Sequence, residues 1–425
     1  MTSAQLPAKV TVDRLEHGPL ERTLDLFCAL ARRMNLPMTR LQAESVLALG
    51  RRKARLHDIG DPRFLEPFTK AMECYGDPDF KAMSAVFVRS VGSRAVVNRL
   101  AIEKHLADHP AVLDVPVERP IFVLGFPRTG TTLLQNLLCL DNDRRGLEWW
   151  ELNHPAPVHP DPVIDRERRM RVAQRDIDTA AIFTPEMHQI HHTTATTVEE
   201  CWPLFTSTFA VLNFDLAHGN RRFGDWLLDY DMEWPYREYR RQLQLLLSIR
   251  PARQLVLKCP EHLWFADSLL KVFPDACIVW THRDPFDAVA SYCSLVTLVR
   301  RTLKGKVDPL KVGDHIATRY HQGVQRAMAA LDGSDRVFHV RFEDLVKDPI
   351  AAVGQIEQHF DLDVTSPDTM RAYLDAPRQD GRGKHVYDAA RYGLHADAIH
   401  AQFADYISRF GVALNSEDPP DLDPA

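Results

Sequence analysis

Three positions in this chain place a cation or hydroxyls directly after a short apolar, β-prone run. GFPRTGTT follows Ile121, Phe122, Val123 and Leu124, and crowds Arg128, Thr129, Gly130, Thr131 and Thr132 into one turn. Lys258 ends the run QLVLK, and Arg283 follows ACIVWTH, with Ser291 eight residues further on. A glycine-bearing turn that opens a helix offers backbone N–H groups and the positive end of the helix dipole, which together bind an anion. Arginine adds a planar fork that grips phosphate oxygens two at a time. Gly125 and Gly130 have the spacing of the nucleotide triphosphatase loop, but Thr131 stands where that loop requires lysine. That lysine reaches the β- and γ-phosphates, so the expected ligand is a phosphate compound without a γ-phosphate.

These residues need elements to hold them. The residues around Gly125, Pro127 and Gly130 read as strand, tight loop and helix, the helix carried by TTLLQNLLCL. Further strands are expected at Leu255 to Leu257, in ACIVWTH and in RVFHVRFEDL. Helices are expected between them, at Glu261 to Phe273, after Pro285 and at Ile316 to Leu331. Strands alternating with helices imply an α/β fold, a mostly parallel sheet covered by helices on both faces. In such a sheet ligands sit beyond the carboxyl ends of the strands, where Arg128, Lys258 and Arg283 fall.

Residues 1–115 read as a helical N-terminal region, 116–414 as the α/β domain, and 415–425 as a disordered tail. The helical region carries no catalytic motif, and the sequence does not choose among core packing, acceptor-site shaping and oligomer contact such as a homodimer. More helix is expected from Asp165 to Ala181, Val198 to Phe209 and Tyr236 to Ser248. With 425 residues, 45% hydrophobic and 26% charged, the composition is that of a globular chain. A net charge of −6 gives no case for nucleic-acid binding. The seven cysteines form no C-x-x-C pair, the N-terminus has no signal-peptide pattern, and no run is long enough to span a membrane. The expectation is a cytoplasmic chain with reduced thiols.

Taken together, the motifs resemble the sulfotransferase family over about Pro120 to Leu394, in the family's order. PIFVLGFPRTGTTLL is similar to its loop for the 5′-phosphosulfate of 3′-phosphoadenosine 5′-phosphosulfate (PAPS). HRDPFDAVASY is similar to its 3′-phosphate motif, which would make Arg283 and Ser291 ligands of that phosphate. RFEDLVKDP resembles the segment whose aromatic residue lies near the adenine, here Phe342. GRGKHVYDAARYGL resembles the closing loop, which would add Arg382, Gly383 and Lys384. The resemblance implies a P-loop-like fold, PAPS as co-substrate and no metal. The long helical N-terminus and LVLKCPEHL look most like bacterial members.

The resemblance carries Lys258 over cleanly but leaves the general base open. The family's lysine–threonine–histidine strand end reads Lys258-Cys-Pro-Glu-His262 here. His262 and Glu151 (or Glu148) are level candidates, and Glu199 and Glu200 stand third. His188, His191 and His192 share helical spacing, but without a nearby carboxylate–histidine pattern a polar acceptor loop is the better reading. Trp149, Trp150, Trp202 and Trp264 are either core or the wall of an acceptor cavity, the acceptor being a small molecule, lipid or glycan. The leading expectation is sulfuryl transfer from PAPS to a hydroxyl or amine. An ATP-dependent kinase-like enzyme and a non-catalytic nucleotide-binding protein are the alternatives.

Overall fold

In a computed structural model the chain is described over residues 9–11, 18–184, 186, 192–376 and 384–414. Its strands are β1 (Lys9–Thr11), β2 (Ile121–Leu124), β3 (Arg144–Arg145), β4 (Gln254–Lys258), β5 (Cys277–His282), β6 (Val337–Arg341) and β7 (Lys384–Val386). Five of them form one sheet in the order β3-β4-β2-β5-β6, every pairing parallel. The carboxyl ends therefore share one edge. Val123 pairs with Lys258, Leu124 with Trp280, and His282 with Arg341, so the residues that follow them are neighbours.

Both faces of the sheet are covered, as the near-continuous apolar strands require. Ile121, Val123, Val256 and Val279 pack with Leu134 and Leu137 of the Thr131–Leu138 helix and with Val353 and Ile356 of the Pro349–His359 helix. Phe122, Leu124, Leu257 and Trp280 join the larger core on the other face. That core runs without a break into the N-terminal region. Phe64, Phe68, Leu100 and Leu106, from Pro62–Phe64, Leu65–Tyr75 and Ala82–Asp108, belong to the same cluster as Phe122.

The expected strands and most expected helices are present, with three departures. The N-terminal region is not helical throughout, because β1 pairs in parallel with β7, at the far end of the chain. The Glu261 to Phe273 stretch is a 3₁₀ turn (Pro260–Leu263) followed by a helix (Ala266–Val272). Val198 to Phe209 is not one helix: only Trp202–Ser207 turns, as 3₁₀. Val198 is held extended by an antiparallel bridge to Glu148, and the Cys201 amide donates to the Lys258 carbonyl at 2.9 Å. Pro203 lacks an N–H for a helical ladder. The expected tail, residues 415–425, lies outside the described residues.

Among the described residues no helix is long and apolar enough to cross a membrane. Six of the seven cysteines are buried, Cys139 is partly so, and none is in a disulfide.

Candidate active site

The turn after β2 is shaped by one glycine and two threonines. Gly125 has φ 151°, and a Cβ there would stand 2.0 Å from Thr281 Oγ1. Thr281 donates to the Leu124 carbonyl at 3.2 Å, Thr129 donates to the Phe126 carbonyl at 2.8 Å, and the two hydroxyls touch at 2.6 Å. The Thr129 hydroxyl, expected beside the ligand, is thus buried against the sheet and fixes the loop. Gly130, at φ 79°, opens the Thr131–Leu138 helix and lies against Leu345 and Phe342.

Beyond this turn lies a cavity of about 620 Å³. Arg128, Gly130, Thr131, Thr132, Lys258 and Phe342, drawn from three separate stretches of chain, line one side of it. Lys258 Nζ donates to Thr132 Oγ1 at 3.1 Å and stands 3.4 Å from Glu200 Oε1. A cation, a hydroxyl and a carboxylate meet at the mouth of an anion-binding turn.

Arg283 and Ser291 are buried behind that wall rather than lining it. Asp284 caps the Pro285–Lys304 helix by accepting from the Phe286 amide at 2.8 Å, so Pro285 is its first residue, as expected. Arg283 Nη1 donates to the Arg128 carbonyl at 2.6 Å, its Nη2 is 3.4 Å from Asp287 Oδ2, and its guanidinium lies 4.3 Å from the Phe342 ring centre. Arg283 Nε is buried without a hydrogen-bond partner among the described residues, an arrangement that native interiors rarely tolerate. The second motif therefore braces the first. Arg382 and Gly383 lie outside the described residues, and Lys384 opens β7.

Neither of the two leading base candidates faces the cavity. Both Glu151 carboxylate oxygens accept from Arg145 Nη1 at 3.0 Å, and Oε2 also accepts from the Glu148 amide, which closes the first turn of the Trp149–Asn153 helix. Glu148 accepts from Trp150 Nε1 at 2.8 Å and pairs with Arg250 at 2.6 Å. His262 is fully buried, Nδ1 at 2.7 Å from the Tyr236 hydroxyl and Nε2 at 3.3 Å from Cys201 Sγ. Donor atoms of Cys201, Cys259 and His262 lie within 4.8 Å of one another, a cluster that cysteine spacing in the sequence gave no sign of.

Among the described residues the carboxylates that line the cavity are Asp176, Glu199, Glu200 and Glu261. Glu199 accepts from the Thr193 hydroxyl at 3.0 Å. Burial pushes the Glu261 carboxyl up to about 8, although the Leu212 and Asn213 amides, each donating at 2.8 Å, pull the other way. Sequence reasoning passed Glu261 over; its one signal was a charged residue inside the apolar LVLKCPEHLWF. His188 and His191 lie outside the described residues. Of the four tryptophans, Trp149 and Trp202 line the cavity, while Trp150 and Trp264 are buried away from it.

Away from Lys258 the cavity wall is mostly apolar. It includes Phe87 and Val91 of the Ala82–Asp108 helix, Ile177 and Phe183 of the Pro162–Phe183 helix, and Leu295 and Val299 of the Pro285–Lys304 helix. Arg94 and Asp176, 2.5 Å apart, join the first two of these helices beside it.

A parallel sheet with an anion-binding turn at its carboxyl edge, a lysine and an arginine beside it, and an apolar chamber beyond define a P-loop-like α/β group transferase. The sulfotransferase family model matches residues 120–366, more than half of the chain, and the chain belongs to that family of enzymes. It is similar in structure to sulfotransferase STF9 from Mycobacterium avium (29% identity, TM-score 0.77, covering 89% of this chain and 99% of the other). Sulfotransferase STF1 from Mycobacterium tuberculosis H37Rv is similar too (28% identity, TM-score 0.75, 86% and 100% covered). In sequence it is 24% identical over 339 residues to the omega-hydroxy-beta-dihydromenaquinone-9 sulfotransferase Stf3 of Mycobacterium bovis, covering 73% of this chain and 80% of the relative.

Proposed function

We propose that this sulfotransferase moves the sulfuryl group of PAPS onto a hydroxyl of an apolar, lipid-like acceptor, with Glu200 as general base. The observation that carries the reading is the meeting of Lys258, Thr132 and Glu200 at the junction of the anion-binding turn and an apolar chamber. The turn amides, Arg128, Thr131 and Thr132 would hold the phosphosulfate. Arg283 and Ser291, with Arg382, Gly383 and Lys384, would hold the 3′-phosphate, and Phe342 the adenine.

The acceptor oxygen attacks sulfur in line, and the bond from sulfur to the 5′-phosphate oxygen breaks. Glu200 takes the acceptor's proton. The products are the sulfate ester and adenosine 3′,5′-bisphosphate. Such transfer depends mainly on positioning and charge stabilisation. Lys258 would stabilise charge developing on the leaving phosphate, a charge-assisted bond being worth about 1.5–3 kcal/mol. The apolar acceptor is supported by the chamber wall and by the lipid quinone named for the Mycobacterium bovis relative.

Two measurements test the reading. Adenosine 3′,5′-bisphosphate should raise the unfolding temperature whereas ATP with magnesium should not, since only a ligand bound by the native state stabilises it. Radiolabelled sulfate from PAPS should appear on long-chain or isoprenoid alcohols in preference to sugars or tyrosine peptides. Stabilisation by ATP with magnesium alone would refute the nucleotide assignment, and transfer confined to sugars would refute the acceptor.

A further inference from the structure

The Pro19–Arg33 helix carries an apolar face that is exposed among the described residues. Its inward side is set by Glu21, Cys28 and Ala31, which are buried, and by Asp25, which accepts from the Met83 amide at 3.0 Å. At 100° per residue, Leu20, Leu26, Phe27, Leu30 and Met34 share about 120° of the outward arc. Leu26 is 73% exposed, Phe27 58% and Leu30 57%. Leu36 and Met38 continue the apolar surface past the helix end. Large side chains grouped this way mark an interaction surface rather than scattered surface residues.

Two features select the occupant. The helix's two acids, Glu21 and Asp25, are turned inward, whereas Arg33 of its last turn is exposed at the edge of the apolar arc, a placement that favours an anionic membrane surface. The helix is also fastened at Met83 to the start of the Ala82–Asp108 helix. One turn on, Phe87 is half-exposed and lines the cavity. The helix is thus tied one turn away from the wall of the chamber that would receive the acceptor. A second copy of the chain is a poorer fit. One face of a 15-residue helix has a footprint of about 22 by 10 Å, small against the ~800 Å² per partner of a stable dimer.

We infer that the Pro19–Arg33 helix docks the enzyme on an anionic lipid surface with Phe87 towards the bilayer, so that the acceptor reaches the cavity from the membrane. This rests on the lipid-like acceptor proposed above. The test is sedimentation of the full chain with phosphatidylglycerol–phosphatidylcholine vesicles, without PAPS or acceptor. Wild type is compared with a Leu26→Ser, Leu30→Ser double variant and with Leu310→Ser, an exposed leucine elsewhere. Vesicle affinity should fall at least tenfold in the double variant, stay level in Leu310→Ser, and weaken with salt or pure phosphatidylcholine. Sulfation of a detergent-dispersed long-chain alcohol should be unchanged. Equal vesicle binding by wild type and the double variant overturns the inference, as does a wild-type dimer in analytical ultracentrifugation that the double variant turns into a monomer. If vesicles bind as expected but no apolar alcohol is sulfated, the acceptor reading fails while the docking face stands.

Discussion

Replacing Gly125 by alanine tests whether the turn after β2 is built as described. The added Cβ would stand 2.0 Å from Thr281 Oγ1 and 2.8 Å from Thr129 Oγ1, on a backbone at φ 151°. Neither hydroxyl is free to retreat, since each is bonded to a backbone carbonyl of the same turn. Backbone strain of about 1–3 kcal/mol and overpacking of about 1–3 kcal/mol give a loss of about 2–6 kcal/mol. For a chain of this size that corresponds to a fall of about 2–7 °C in unfolding temperature. A local relaxation of the turn would instead appear as weakened binding. Gly354 is the control: it lies in the Pro349–His359 helix with nothing within 4 Å of its Cβ position, so Gly354→Ala should be neutral or stabilising by up to about 1 kcal/mol. Calorimetric scans of both variants, with titration of adenosine 3′,5′-bisphosphate, read the effect. If Gly125→Ala unfolds with wild type and binds the bisphosphate equally well, the turn is not held by these contacts.

Glu200→Gln should lower kcat about 10²–10⁴-fold and leave bisphosphate binding and stability nearly unchanged, because its partly exposed pair with Lys258 is worth under about 1 kcal/mol. Retained turnover in that variant removes Glu200 as the base. Arg283→Ala should weaken bisphosphate binding about 10–100-fold by isothermal titration, and Arg283→Lys should not restore it, because lysine cannot bridge two acceptors in a plane. Recovery by lysine would mean that only charge matters there. Glu261, held up to about 8, keeps its proton in the folded chain more tightly than in the unfolded one, where it titrates near 4.3. Stability therefore falls as pH rises between those values and levels off above them. Urea midpoints across that range should decline more steeply for wild type than for Glu261→Gln, and parallel declines would contradict the assignment.

The sheet and its anion-binding turn were legible because their determinants are local: an apolar run, a glycine turn and a helical period adjoin one another in the chain. The strand-to-helix turn that carries Arg283 was legible for the same reason, with Asp284 and Pro285 announcing a helix start. Which of the candidate side chains face the cavity was not. That depends on partners that residue spacing alone does not single out. Arg145 draws Glu151 into the first turn of its own helix, and Tyr236, from the Glu233–Ile249 helix, closes over His262. A sign existed for Glu151, which follows Glu148 at the three-residue spacing of a capping box, with arginine just upstream. The place of Glu200 beside Lys258 was not legible because Val198 to Phe209 was expected to be helical, which hid the backbone bond that sets Cys201, and with it Glu200, there.

The pairing of β1 with β7 bears on how the enzyme is made. Lys9 lies opposite Lys384, so this parallel ladder joins stretches more than 370 residues apart in sequence. Contacts of such sequence separation form late, after the sheet and its helices. β1 must therefore wait until β7 has been translated. Its partner β7 begins where the expected closing loop for the nucleotide ends, so a cut after Thr11 would act on that loop through a strand remote from it in sequence.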